Sequence, residues 1–124
     1  MTTSISRNNS GHYSIKKHIY EVRHSHKLSR GVSIAYRENK PYVIKYFRLS
    51  SRRRRRKEML KSLSNEINAL KFLRNPGIVN LVSYSYNATL QKHHRDIIPI
   101  CFFVMEYNNG ISLYDYIFHS GPFQ

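Results

Sequence analysis

Two charged residues, Lys45 and Glu66, stand where the hydrophobic pattern of this sequence would place buried side chains. Lys45 lies inside an apolar strand and, because side chains alternate along a strand, it shares a face with Val43 and Phe47. Glu66 lies among helically spaced leucine and isoleucine residues, on the stripe that would face a core. A buried charge is costly unless it is paired, so we predict that these two side chains face each other. The alternative is that both charges reach solvent at the edges of their elements.

A hairpin and a helix would position these two charges. Residues 32–37 alternate apolar and polar side chains, residues 38–41 form a turn signal, and residues 42–47 are rich in β-branched and aromatic side chains. The pattern predicts two antiparallel strands around a short turn. A helix capped by Ser50 or Ser51 follows, because apolar residues then recur at three- and four-residue steps. These apolar residues are Leu60, Leu63, Ile67 and Leu70.

The sequence after this helix predicts two more strands and a short helix. Asn-Pro-Gly at 75–77 ends the first helix, residues 78–84 predict a third strand, and residues 87–96 predict a polar loop. Residues 97–105 are almost wholly apolar and predict a strand buried on both faces. Capping-box spacing then predicts a short helix over residues 112–118.

Composition limits the classes of protein that this chain can represent. Its 124 residues suffice for one modest domain, and it contains no apolar run long enough to span a membrane. The net charge of +14 favours acidic partners. A single cysteine, Cys101, excludes an intrachain disulfide and favours an intracellular location, in the cytoplasm or nucleus; we interpret it as a buried thiol. Residues 1–18 are polar and basic, which predicts a disordered tail.

Five segments resemble those of eukaryotic protein kinases and occur in the order of that family. Residues 43–45 are similar to its V-A-I-K strand, and residues 65–67 are similar to its helix C. Residues 75–81 are similar to its H-P-N-I-V-x-L stretch, residues 103–107 to its last sheet strand and hinge, and residues 110–117 to the start of its helix D. The amino-acid sequence around the first segment is faintly similar to that of the NIMA-related subgroup.

The resemblance implies an α+β fold. It is a five-stranded antiparallel sheet with one helix C, the small lobe of a protein-kinase-like fold, truncated after the hinge and helix D. The chain would then divide into the tail at 1–18, the small lobe at 19–107, and the hinge exit with the start of a large lobe at 108–124.

The resemblance also implies that the charged pair binds ATP. Lys45 would hold the α- and β-phosphates, and Glu66 would orient Lys45. The other implied positions are Gly31 in the phosphate loop, Val32 or Ser33 near the adenine ring, Met105 as the gatekeeper, and the backbone of Glu106 and Asn108 at the adenine edge.

The phosphate loop departs from the kinase pattern. Residues 26–31 read His-Lys-Leu-Ser-Arg-Gly, so only Gly31 matches G-x-G-x-x-G. The side chains of His26 and Leu28 would impede close approach of the backbone to the phosphates. This departure favours the alternative that the chain is a kinase-like binding module without catalysis, a pseudokinase.

The triplet His94, Arg95 and Asp96 has the same residues as the catalytic H-R-D of kinases. It precedes the hinge segment, whereas the catalytic loop of kinases follows the hinge. The asparagine expected five residues later is Cys101. We therefore interpret the triplet as a decoy. No D-F-G follows, so the chain alone is expected to be inactive. Transfer of phosphate from ATP to Ser or Thr of a protein substrate would need catalytic and magnesium-binding residues that this chain lacks.

A basic run precedes the predicted helix. It consists of Arg52, Arg53, Arg54, Arg55 and Arg56, followed by Lys57. Such a run predicts a nuclear-localisation signal or a patch that binds nucleic acid or an acidic protein, which makes a basic nucleic-acid-binding protein a third functional hypothesis. The alternative is a solvated lead-in to the helix. The histidines lack the spacing of metal ligands, and we predict no metal site.

Overall fold

The computed structural model describes residues 3–7, 10–24, 27–72, 81–92 and 96–107, and these form six strands and one helix. The elements are β1 (Thr3–Arg7), β2 (Ser10–His24), β3 (Lys27–Arg37), β4 (Lys40–Arg48), α1 (Arg53–Phe72), β5 (Leu81–Lys92) and β6 (Asp96–Glu106).

The six strands form a closed antiparallel barrel in the order β1-β2-β3-β4-β6-β5. The first strand closes it, because β1 pairs with β2 on one side and with β5 on the other. Ile5 shows this double pairing, since it lies opposite Tyr13 of β2 and opposite Leu90 of β5. All three side chains are buried. Closure satisfies the backbone groups that an open edge strand would leave without strand partners.

The predicted open, five-stranded sheet of a protein-kinase-like small lobe is therefore wrong. The sheet has a sixth strand, and its two edges are joined through β1. The predicted disordered tail over residues 1–18 is also wrong where the chain is described, because β1 and the start of β2 occupy it. Ile5, Tyr13 and Ile15 are few among many polar residues, yet each points into the barrel. A strand in a closed sheet needs an apolar side chain only at every second position, so low overall hydropathy does not exclude order.

The hairpin predicted around residues 38–41 is confirmed as β3 and β4. Glu38 and Asn39 form its turn with φ angles of 51° and 63°, the left-handed conformation that two-residue hairpin turns require. The apolar strand is confirmed as β6. The loop predicted over 87–96 is wrong for residues 87–92, since β5 continues through them and buries Ala88 and Leu90 at alternate positions. The predicted helix end at 75–77 and short helix at 112–118 lie outside the described residues.

Two groups of buried side chains hold the structure together, one on each face of the sheet. The interior cluster fills the barrel. Its members are Ile5, Tyr13, Ile15, Leu28, Ala35, Ile44, Tyr46, Ala88, Leu90, Ile100, Phe102 and Val104. The helix-facing cluster lies between the outside of the barrel and α1. Its members are Val32, Val43, Phe47, Leu63, Ile67, Leu70, Cys101, Phe103 and Met105.

The predicted helix is confirmed as α1, and its apolar stripe supplies three residues of the helix-facing cluster: Leu63, Ile67 and Leu70. Four-residue and three-residue steps put these side chains on one face, so a single helix covers one side of the barrel. Among the described residues, no helix combines the length and the apolar character that crossing a membrane requires.

Candidate functional site

The predicted pairing of Lys45 with Glu66 is confirmed. Lys45 Nζ lies 2.8 Å from Glu66 Oε1, which makes a hydrogen-bonded ion pair between β4 and α1. The local pattern explains the geometry, because Lys45 takes the outward position of β4 between Val43 and Phe47, and Glu66 lies on the buried stripe of α1. The two charges are buried unequally. The lysine is 1% exposed, whereas 21% of the glutamate side chain remains exposed.

The surroundings of the Lys45 ammonium are largely aromatic. Its Nζ lies 5.7 Å from the ring centroids of both Phe47 and Phe103, within the range of a cation–π contact. Burial lowers the pKa of Lys45 below its ordinary value, because removal from water disfavours the charged form. The carboxylate of Glu66 opposes this fall in pKa, and the nearby guanidinium of Arg30 adds to it.

Arg30 and Tyr20 extend the ion pair into a polar network that the sequence analysis missed. Burial raises the pKa of the Tyr20 phenol, a hydrogen bond from Arg30 opposes that rise, and the Glu66 carboxylate adds to it. The charge of Arg30 therefore acts on both a phenol and an ammonium. Strand alternation contains the signal for this, because Arg30 lies two residues before Val32 and so takes the same face of β3.

The structure brings two other predicted site residues, Val32 and Met105, to the face that carries the ion pair. Val32 of β3 lies directly opposite Lys45 of β4, and Val43 lies opposite Met105 of β6. Ser33, the alternative to Val32, faces the barrel interior instead. Of the positions expected at the adenine edge, Glu106 ends β6 half-buried, and Asn108 lies outside the described residues.

Packing against Tyr46 explains the glycine at position 31 without any bound phosphate. Gly31 pairs with Tyr46 across β3 and β4, and a Cβ atom added to this glycine would lie 2.6 Å from the Tyr46 ring and hydroxyl. The ring is fully buried and its hydroxyl lies 3.2 Å from Ser33 Oγ, so it cannot move aside easily. The glycine makes room for Tyr46 within the barrel. Of the rest of the predicted phosphate loop, His26 lies outside the described residues and Leu28 is buried in the interior cluster.

Asp96, the last residue of the H-R-D triplet, begins β6, and His94 and Arg95 lie outside the described residues. The residue of β6 that pairs with Lys45 is Phe103, seven positions further along the strand. That spacing corresponds to roughly 20 Å of extended chain. The interpretation of the triplet as a decoy stays a prediction.

Two clefts open next to the helix-facing cluster. The small cleft has a volume of about 300 Å³, and Arg30, Phe47, Glu58 and Met59 are among the residues that line it. It adjoins the Lys45 site, because two of its lining residues interact with the Lys45 ammonium. The Phe47 ring makes a cation–π contact with the ammonium, and the charge of the Arg30 guanidinium lowers the pKa of Lys45. The larger cleft, here the basic cleft, has a volume of about 680 Å³ and lies at the start of α1. Its charged lining residues are Lys27, Arg48, Arg52, Arg55 and Arg56, together with His24.

Most of the arginine run belongs to the first turn of α1, which starts at Arg53. Ser50, one of the two predicted capping residues, accepts a hydrogen bond from the backbone N–H of Arg52 at 3.1 Å. The side chains of the run are exposed, and the first turn contains no acidic residue.

The structure places Cys101 in the helix-facing cluster as a buried free thiol, as predicted. Its Sγ lies 3.8 Å from the carbonyl oxygen of Phe47, and burial raises the pKa of the thiol to about 12. Within the described ranges, no group of three or more His, Cys, Asp or Glu residues is arranged to hold a metal ion. Scans against models of protein families and against curated proteins returned no match for this chain.

Proposed function

We propose that this chain binds ATP, with Lys45 as the residue that holds the phosphates and Glu66 as the residue that orients it. The observation that carries the proposal is the ion pair of 2.8 Å between two residues at the spacing of the kinase V-A-I-K strand and helix C. A lysine suits this task because it presents a compact positive charge on a flexible stem. The proposal rests on these residues and concerns binding; it does not depend on an open sheet.

The surroundings of the pair indicate how a phosphate would approach. Lys45 is covered by Phe47 and Phe103, whereas the Glu66 side of the pair is partly open. The small cleft is lined by Arg30, Glu58 and Phe47, and neither Lys45 nor Glu66 is among its lining residues. A phosphate in this cleft would contact the Arg30 guanidinium, whose charge also acts on the Lys45 ammonium. Two cations close to each other suit a ligand with several negative charges, because charge-assisted hydrogen bonds to phosphate are strong.

The resemblance implies that the adenine lies near Val32 and Met105, both of which are buried in the helix-facing cluster. Val32 of β3 pairs with Lys45 of β4, and Met105 of β6 pairs with Val43, two residues before Lys45 on β4. Apolar side chains with a few convergent polar groups are typical of sites for small ligands. Magnesium would accompany the ATP phosphates.

The test is thermal unfolding of the chain with and without Mg-ATP. The wild-type midpoint should rise with ATP concentration, and Lys45→Met should abolish the rise because it removes the phosphate-binding charge and keeps a side chain of similar length. Glu66→Gln should weaken the rise. Lys61→Met is the matched control, since Lys61 is exposed on α1 and lines neither cleft. An ATP-dependent shift that survives Lys45→Met would contradict the proposal.

ATP binding by this chain is compatible with two functions, one with catalysis and one without it. In the first, the chain acts as the ATP-binding part of a protein kinase. In the second, it is a kinase-like module that binds a partner without catalysis, as the departure of residues 26–31 from the glycine-rich pattern favours. Incubation with radiolabelled ATP and a mixed protein substrate separates them, because only the first transfers phosphate.

A further inference from the structure

The basic cleft concentrates positive charge from three parts of the chain. Lys27 comes from β3, and Arg48 ends β4. Arg52 directly precedes α1, and Arg55 and Arg56 lie near its start. Among the described residues that line the cleft, none is Asp or Glu. Hydroxyl groups of Ser29, Ser50 and Ser51 and the His24 ring add hydrogen-bonding groups to the wall.

This concentration of charge opposes folding. The N-terminus of a helix carries a partial positive charge, so acidic residues stabilise its first turn and basic residues destabilise it. The first turn of α1 has basic residues and no acidic one. The cations around the cleft also repel one another. Local arrangements that cost stability are expected where function requires them.

Helical geometry selects which arginines of the run face the cleft. Arg52, Arg55 and Arg56 are three and four positions apart and line it. Arg53 and Arg54, in the same run and equally exposed, are not among the residues that line the cleft. A linear signal would use all five arginines alike, whereas a concave site uses those on one side of the helix.

We propose that the basic cleft binds a compact ligand with clustered phosphate groups. The positive charge of the cleft favours a polyanionic ligand. Several separate cations that converge on one concavity match several phosphates in a small volume. The volume of about 680 Å³ lies in the range of sites for small molecules. An extended nucleic-acid strand would instead follow a surface groove with cations along its length. The shared chemistry, a ring or chain with several phosphates, occurs both in free polyphosphates and in phosphorylated lipid headgroups.

The probe is inositol hexakisphosphate, added to the full chain and followed by calorimetric titration at two salt concentrations. Arg52→Gln/Arg56→Gln should weaken binding about tenfold or more, because two charge-assisted contacts are lost. Arg53→Gln/Arg54→Gln is the matched control with the same change in net charge, and it should alter the affinity less than about threefold. Lys27→Gln/Arg48→Gln should weaken binding as the first variant does, although neither residue belongs to the arginine run.

Equal weakening by the two double arginine variants would overturn the proposal, since it would show attraction to the run as a whole. Binding of a mixed-sequence oligonucleotide but not of inositol hexakisphosphate would also overturn it, in favour of a nucleic-acid surface. Vesicles of phosphatidylcholine with and without phosphatidylinositol bisphosphate distinguish the sources. Cleft-dependent binding to the phosphorylated vesicles assigns the lipid headgroup, and binding of the soluble probe alone assigns a free polyphosphate.

The basic cleft shares Ser29, Arg55 and Met59 with the small cleft, so the test of a separate site uses residues that do not line both clefts. Lys45 does not line the basic cleft, so Lys45→Met should leave the affinity for inositol hexakisphosphate within about threefold of wild type. Arg52→Gln/Arg56→Gln should in turn leave the ATP-dependent thermal shift in place. Loss of inositol hexakisphosphate binding in Lys45→Met would overturn the proposal of a separate site.

Discussion

The two clusters on opposite faces of the sheet treat polar groups differently. In the interior cluster, the buried Ser33 Oγ lies 3.2 Å from the neutral Tyr46 hydroxyl. The Tyr13 hydroxyl lies 3.0 Å from Ser83 Oγ and accepts a hydrogen bond from the exposed Arg37 at 3.5 Å. The helix-facing cluster instead contains a full charge on Lys45, paired with Glu66.

The difference follows from what can reach each face. The barrel interior is enclosed by strands, and a charge there would need its partner inside the same small volume. The outer face is covered by α1, which carries a carboxylate on its buried stripe and leaves the edge of that carboxylate in contact with solvent. A face shared with a helix can therefore hold a charged site, and the enclosed face serves mainly to hold the barrel together.

The largest expected effect lies in the interior cluster, at the strand that closes the barrel. Ile5→Ala should lower the free energy of unfolding by about 2–5 kcal/mol, because it removes a fully buried side chain that packs between β2 and β5. Urea denaturation followed by circular dichroism measures it. Ile97→Ala is the matched control, since Ile97 of β6 is 63% exposed, and it should cost less than about 1 kcal/mol. Equal costs for the two variants would show that β1 does not close the sheet.

The second prediction concerns the asymmetry of the ion pair in the helix-facing cluster. Glu66→Gln should destabilise the fold by about 1–3 kcal/mol, because the buried Lys45 then lacks its counter-charge. Lys45→Met should cost less than about 1.5 kcal/mol, since it removes the buried charge and retains an apolar stem, while the remaining glutamate is partly solvated. Urea denaturation of both variants provides the comparison. A larger cost for Lys45→Met than for Glu66→Gln would contradict this account.

The smallest expected effect is a change in how the free energy of unfolding depends on alkaline pH. It involves one titrating group from each cluster. Burial raises the pKa of Cys101 and the pKa of Tyr46 to about 12. The unfolded chain loses these protons at lower pH, so the stability that both groups contribute is present below their ordinary pKa values of 9.0 and 10.0. That stability is lost as the pH rises towards about 12. Lys45 acts in the opposite direction, because its lowered pKa makes its contribution grow as the pH rises.

Cys101→Ala and Tyr46→Phe should each flatten the decline in unfolding free energy between about pH 8 and 11, measured by urea titrations at a series of pH values. Tyr36→Phe is the control, since it removes the same hydroxyl from a tyrosine that is 37% exposed. A slope unchanged by both substitutions would show that neither group is buried as described.

The site was more predictable than the fold. Alternation along 42–47 and the spacing of leucines around Glu66 were enough to predict the ion pair, because both periods are local properties of the chain. The hairpin and α1 were predictable for the same reason. Arg30 was not selected, since its importance comes from its nearness to Tyr20 and Lys45, which are separated from it along the chain.

By itself, the sequence determined the elements with strong local periodicity and indicated Lys45 and Glu66 as a candidate pair. Only the tertiary structure decided that β1 pairs with β5 across more than eighty residues, because strand pairing between distant segments depends on closure of the whole sheet. It also decided that Gly31 accommodates the Tyr46 ring and that only some arginines of the run line a cleft. These features depend on which surfaces meet in space, and a linear pattern does not contain that information.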